Sequence, residues 1–110
     1  MSVTISSKGE VLYCSISGEI DHHTAAHLRK KIDDATETLM PSLLVLDFSG
    51  VTFMDSSGIG LVMGRYRNMS KLGGKVHIGN PTPTVYKLMT LSGIERIATI
   101  DPVENTESYR

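Results

Sequence analysis

The sequence holds a single cysteine, Cys14, among its 110 residues. A lone thiol builds neither a disulfide framework nor a cysteine-based zinc site. No apolar run approaches the roughly 20 residues that a membrane span needs. The first residues, Met1-Ser2-Val3-Thr4-Ile5-Ser6-Ser7-Lys8, have neither the basic start nor the apolar stretch of a secretory signal. Together these absences predict a protein of the reducing cytoplasm with no membrane partner. Net charge is nearly missing as well, since 11 Lys and Arg against 12 Asp and Glu leave -1. That is too weak a field to grip nucleic acid directly. Without a long apolar stripe left over for self-association, a monomer is the expectation.

One further absence is local. No carboxylate occurs between Asp55 and Glu95, a stretch that carries Arg65, Arg67, Lys71, Lys75 and Lys87. Eight acids and four bases precede it, and four acids and two bases follow, so the three segments carry -4, +5 and -2. The basic stretch either steers an acidic partner or simply solvates an outer face.

What is present reads as one α/β domain spanning 1–110. Leu12, Cys14 and Ile16 alternate with Val11, Tyr13, Ser15 and Ser17, the period of a strand, and a short strand near Val3 to Ser6 pairs with it through Lys8-Gly9-Glu10. From Asp21 the period becomes helical, with Ala25, Leu28, Ile32, Ala35 and Leu39 on one stripe that ends before Pro41. Leu43 to Phe48 is an almost unbroken apolar run, as expected of a strand covered on both faces. After a short loop, Ile59, Val62, Met63, Tyr66 and Met69 mark a second helix from about Ser57 to Leu72, with Gly73-Gly74 as its stop. A strand at Val76 to Ile78, a helix carrying Val85, Leu88 and Met89 and capped at Gly93, and a strand at Ile97 to Ile100 complete the order. The tail from Asp101 is polar, with a short helix at most. Strands alternating with helices predict a mixed sheet of four or five strands packed with about four helices.

The densest unusual sequence is Phe53-Met54-Asp55-Ser56-Ser57-Gly58-Ile59-Gly60, at a strand-to-helix junction where α/β proteins place ligands. A Ser at such a point reads first as an N-cap. Gly58 and Gly60 are not explained by capping. Each costs a helix about 1 kcal/mol relative to Ala, so they imply that another backbone approaches this helix start. The spacing to Gly64 does not match a dinucleotide fingerprint, and no acid occurs between Asp55 and Glu95 to hold a ribose. A phosphate loop is excluded for want of Gly-Lys-Ser/Thr, and a nucleophile elbow because Met54 and Asp55 precede Ser56. Accepting a phosphate from another protein needs less, since the kinase brings metal and base, and free N–H groups at a helix N-terminus favour the added charge.

The histidines offer a second candidate. His23 and His27 stand at i, i+4, the spacing of a metal pair, but nothing completes the shell, and Asp21 reads as the cap of that helix. His77 has no assignment from sequence.

Gly18-Glu19-Ile20-Asp21-His22-His23-Thr24-Ala25, then Phe53 to Gly60, then Gly64-Arg65-Tyr66 resemble the STAS-domain anti-sigma factor antagonists over nearly the whole chain. The resemblance implies a single STAS domain and a partner-switching regulator that is not an enzyme and uses no cofactor or metal. The unmodified antagonist binds an anti-sigma factor that is also a serine kinase, and so frees the sigma factor. The kinase phosphorylates a Ser in the Asp-Ser-Ser/Thr-Gly motif, and a serine phosphatase restores it. By position the acceptor is Ser56, with Ser57 the lesser candidate. Asp21, Asp55, Ser57, Gly58, Gly60 and Arg65 fall on the docking side. The Asp-His-His and Gly-Arg-Tyr matches favour a sporulation role over a stress-response role. Residues 101–110 depart from the family, being short and polar where a final helix is usual. Two other readings stay open on the residues alone: a module that binds a nucleotide or other anion at the Gly-rich helix start, and an esterase-like enzyme pairing Ser56 with a histidine from 21–27, which lacks an orienting carboxylate.

Overall fold

The computed structural model describes residues 1–101. Five strands form one sheet in the order β1-β2-β3-β4-β5: β1 (Ser2–Lys8), β2 (Val11–Ile20), β3 (Leu43–Met54), β4 (Lys75–Gly79) and β5 (Thr99–Asp101). Only β1 runs antiparallel to its neighbour, and the other pairings are parallel. The helices are α1 (His22–Leu39), α2 (Ser56–Lys71) and α3 (Pro83–Leu91), with a 3-10 turn at Ile94–Arg96. The mixed sheet is thus as predicted. The expected four helices are three and a 3-10 turn among the described residues, and the tail beyond Asp101 lies outside them.

The apolar run of β3 forms the centre of the sheet, with Leu44, Val45, Leu46 and Phe48 all buried. The strand does not stop at Phe48 as the sequence suggests. It continues to Met54, because Gly50, Val51, Phe53 and Met54 pair with Ser17 to Ile20 of an equally extended β2. Two register shifts, between Ser15 and Ser17 and between Gly18 and Glu19, let the strands pass these polar residues. At Gly50 a side chain would stand 2.8 Å from Cβ of Ser17, so only glycine lets the strands close up there.

On α1 the predicted stripe holds at Leu28 and Ile32, both fully buried, but not at Leu39, which is 49% exposed. Its place is taken by Thr36, buried because its hydroxyl donates to the Ile32 carbonyl at 2.8 Å. The third helix ends at Leu91 and is capped by Ser92, not by Gly93, which with φ 79° instead opens the 3-10 turn. His77 finds a role here. Its Nε2 lies 2.5 Å from Asp101 Oδ2 and ties β4 to β5. Burial pushes the imidazole pKa down, outweighing the upward pull of Asp101.

Cys14 has no exposed surface, and burial pushes its thiol up to about 12. At pH 8 iodoacetamide is therefore expected to leave the native protein unmodified and to label it only in denaturant. Labelling of the native form at the rate of a free thiol would show that the sheet opens. Among the described residues no helix is long and apolar enough to cross a membrane.

Candidate functional site

Parallel pairing of β2 with β3 creates the site. Ile20 and Met54 are register partners at the ends of their strands, and the Asp55 N–H donates to the Ile20 carbonyl at 3.2 Å. Both strands therefore hand over to helices at the same edge, and two helix N-termini, each capped by an aspartate, lie side by side. Such a carboxyl edge of a parallel sheet is where α/β folds gather their functional groups.

Asp21 caps α1, as expected. Its Oδ1 accepts from the N–H groups of His23 at 2.9 Å and Thr24 at 3.0 Å, while the Thr24 hydroxyl accepts from the Asp21 N–H at 2.8 Å. This reciprocal box holds the Asp21 carboxyl below the usual carboxylate range, through the Thr24 N–H first, then the Thr24 hydroxyl and the His23 N–H. At neutral pH Asp21 is a fixed anion whose Oδ1 is committed to the helix start.

Asp55 caps α2, its Oδ1 accepting from the Ser57 N–H at 2.8 Å. This corrects the sequence reading that a serine does so: Ser56 and Ser57 are the first two helical residues, and neither side chain caps. Freed of that duty, Ser56 is exposed, while Ser57 is half-buried.

The two glycines that the sequence treats alike have different causes. Gly58 is buried, and a Cβ there would stand 2.2 Å from Cγ of Met54. Its bareness is filled from inside, by the last residue of β3. Gly60 is exposed, and a Cβ would meet nothing within 4 Å. Only Gly60 fits the expectation of close approach from outside.

Arg65, grouped with the docking residues, is 5% exposed. Its Nε sits 2.8 Å from Asp33 Oδ1 on α1, and its Nη1 donates to the Leu61 carbonyl at 3.4 Å. The Nε–H is not directed at the carboxylate, so the contact is a charge attraction rather than an aligned hydrogen bond. Asn68 donates to the same oxygen at 3.2 Å. Burial, opposed by Asp33 and reinforced by Arg29 and Arg67, lowers the Arg65 pKa. The residue staples α1 to α2, a role the sequence reading missed.

His22 and His23 stack edge to face with centroids 5.9 Å apart. Among the described residues no three His, Cys, Asp or Glu side chains converge as a metal centre would require. Between α1 and α2, beginning at Ser57, runs a groove of about 360 Å³ whose lining includes Gly60, Gly64, Arg29 and Arg67.

The chain is similar to known proteins over most of its length. The model of the STAS domain family matches residues 2–108. The anti-sigma F factor antagonist of Paenibacillus polymyxa is 37% identical over 90 residues, covering 82% of this chain and 77% of that protein. The solved structure of the anti-sigma factor antagonist SpoIIAA in its unphosphorylated form gives a TM-score of 0.82 at 29% identity, covering 98% of this chain and 95% of that one. The Bacillus cell fate determinant SpoIIAA in the phosphorylated form gives 0.74 at 29% identity, covering 98% of both chains.

Proposed function

Since the chain belongs to the STAS domain family, among the anti-sigma factor antagonists, we propose that it works as a phosphorylation-controlled partner switch. It is a regulator that acts by binding and not an enzyme. Unphosphorylated, it binds an anti-sigma factor that is also a serine kinase and releases the sigma factor in the cytoplasm. Phosphate on Ser56 turns it off, and a serine phosphatase turns it on again. Likeness to an anti-sigma F factor antagonist supports a sporulation sigma factor as the one controlled.

The observation that carries this reading is the exposed Ser56 hydroxyl at the first position of α2, beside a second helix N-terminus. A kinase can reach it, and the helix dipole accommodates the product. Around it, Asp21, Asp55, Ser57 and Gly60 form the docking edge, Gly58 belongs beneath it as room for Met54 and not to the docking surface the sequence assigns it to, and Arg65 fixes that edge by holding the two helices together.

Intact mass before and after incubation with the host's anti-sigma kinase and ATP, followed by peptide mapping, tests the proposal. One added phosphate on Ser56 is expected. An unchanged mass, with the kinase active on a control substrate, would overturn it.

A further inference from the structure

The groove between α1 and α2 has an unusual lining. Small residues face it from both helices, Ala25 and Ala26 of α1 and Gly60 and Gly64 of α2, above the buried Leu61 and Arg65. A Cβ on Gly60 would meet nothing, and one on Gly64 would meet only the tip of Arg67 at 3.9 Å. Nothing inside the molecule therefore requires either glycine, although each weakens the helix relative to alanine. Glycine at such points admits a backbone arriving from outside.

The walls are cationic. Arg29 and Arg67 are exposed on the two sides, and among the described residues no carboxylate lines the groove. Arg65, the third guanidinium lining it, is already matched by Asp33, so the uncompensated charge belongs to Arg29 and Arg67. From Ser57 to Arg67 the groove follows α2 for about 15 Å, at 1.5 Å per residue. That length, with small residues along it and free cationic charge on both helices, suits a polypeptide segment better than a small anion, which needs several donors converging on one point.

We infer that this groove receives an acidic backbone segment of the protein partner, with Gly60 and Gly64 admitting its main chain and Arg29 and Arg67 pairing with its carboxylates. The inference rests on the proposed function for the existence of a partner and names the chemistry that partner presents. Because Ser57 is at one end of the groove, a phosphate on neighbouring Ser56 places negative charge where the acidic segment enters.

Calorimetry with the host's purified anti-sigma factor, at 50 and 300 mM salt, tests it on two double variants. Arg29→Glu with Arg67→Glu is expected to lose at least 30-fold in affinity at low salt and most of the salt dependence. Gly60→Ala with Gly64→Ala is expected to lose about tenfold while its melting temperature rises by about 8 °C, a combination that damage to the fold cannot produce. If the wild type binds and both variants bind within twofold of it, the groove is not the docking surface, whatever becomes of Ser56. If the wild type does not bind, the partner-switch reading falls and the groove assignment with it. ATP binding that the arginine double variant abolishes, with anti-sigma factor affinity intact, would make the groove a small-anion site and overturn the inference.

Discussion

Arg65→Ala is expected to lower the free energy of unfolding by about 2 kcal/mol, more than any surface charge change in this chain. Removing one member of a buried ion pair commonly costs roughly 3–5 kcal/mol, because the remaining charge loses its partner without regaining water. Here the Asp33 side chain is 25% exposed and keeps the Asn68 amide, so water and that amide recover part of the loss. Much of the remainder is packing, since the aliphatic stem of Arg65 lies in a site that is 5% exposed. Arg65→Met keeps the stem and should recover about half, whereas Arg65→Lys keeps the charge on a chain that cannot also reach the Leu61 carbonyl in the same fork. Urea denaturation of the three variants gives the comparison. An Arg65→Ala cost below about 0.5 kcal/mol would show that α1 and α2 stay together without the staple.

That staple shows where sequence reading ran out, and why. Arg65 stands four residues after Leu61 and four before Met69, both buried, so it occupies the apolar stripe of α2. A cation on that stripe calls for a buried counter-charge, and the spacing alone could have revealed it. The identity of the partner could not be read, because Asp33 is on another helix and meets Arg65 only through packing. The same division runs through the rest of the fold. Apolar runs and helical stripes are local, and they located the centre of β3 and the span of α2 to within a residue at each end. The second half of β3 is not legible, because Ser49, Gly50 and Thr52 are strand residues only through the pairing of Gly50, Val51, Phe53 and Met54 with β2, in which Ser49 and Thr52 fall at the register shifts. Asp55 and Ser56 stand out through the Asp-Ser-Ser-Gly motif at a strand-to-helix junction and through the family resemblance. Their neighbourhood with Asp21 depends on the register of Ile20 with Met54, which no local pattern encodes. Gly58 and Gly60 are two residues apart on a helix and so face opposite ways, Gly58 on the stripe of Leu61 and Val62 and Gly60 toward solvent; that Met54 is what fills the space at Gly58 is the part the helical period does not give.

Phosphorylation of Ser56 is expected to weaken anti-sigma factor binding by about 100-fold, equivalent to about 2.7 kcal/mol, while leaving the fold nearly unchanged. In the free protein the phosphate projects from an exposed residue on the first turn of α2, where water solvates it and the helix dipole favours it. The Ser57 N–H is already taken by Asp55, so the phosphate gains less there than at an uncapped helix and has no cause to reorganise the turn. In the complex the balance reverses. A partner seated on this edge strips water from about 1.5 to 2 negative charges that stand next to Asp55, and the mismatch appears directly in the affinity. Ser56→Ala should bind within a few-fold of wild type and take up no phosphate. Ser56→Asp, with one charge and less bulk, should lose about tenfold. Because the effect is local, the melting temperatures of all three forms should agree within about 3 °C. If Ser56→Ala binds as poorly as Ser56→Asp, the hydroxyl itself is the contact and charge is not the switch. If the phosphorylated protein melts 10 °C lower, the modification acts through the fold and blockade at the surface is the wrong mechanism.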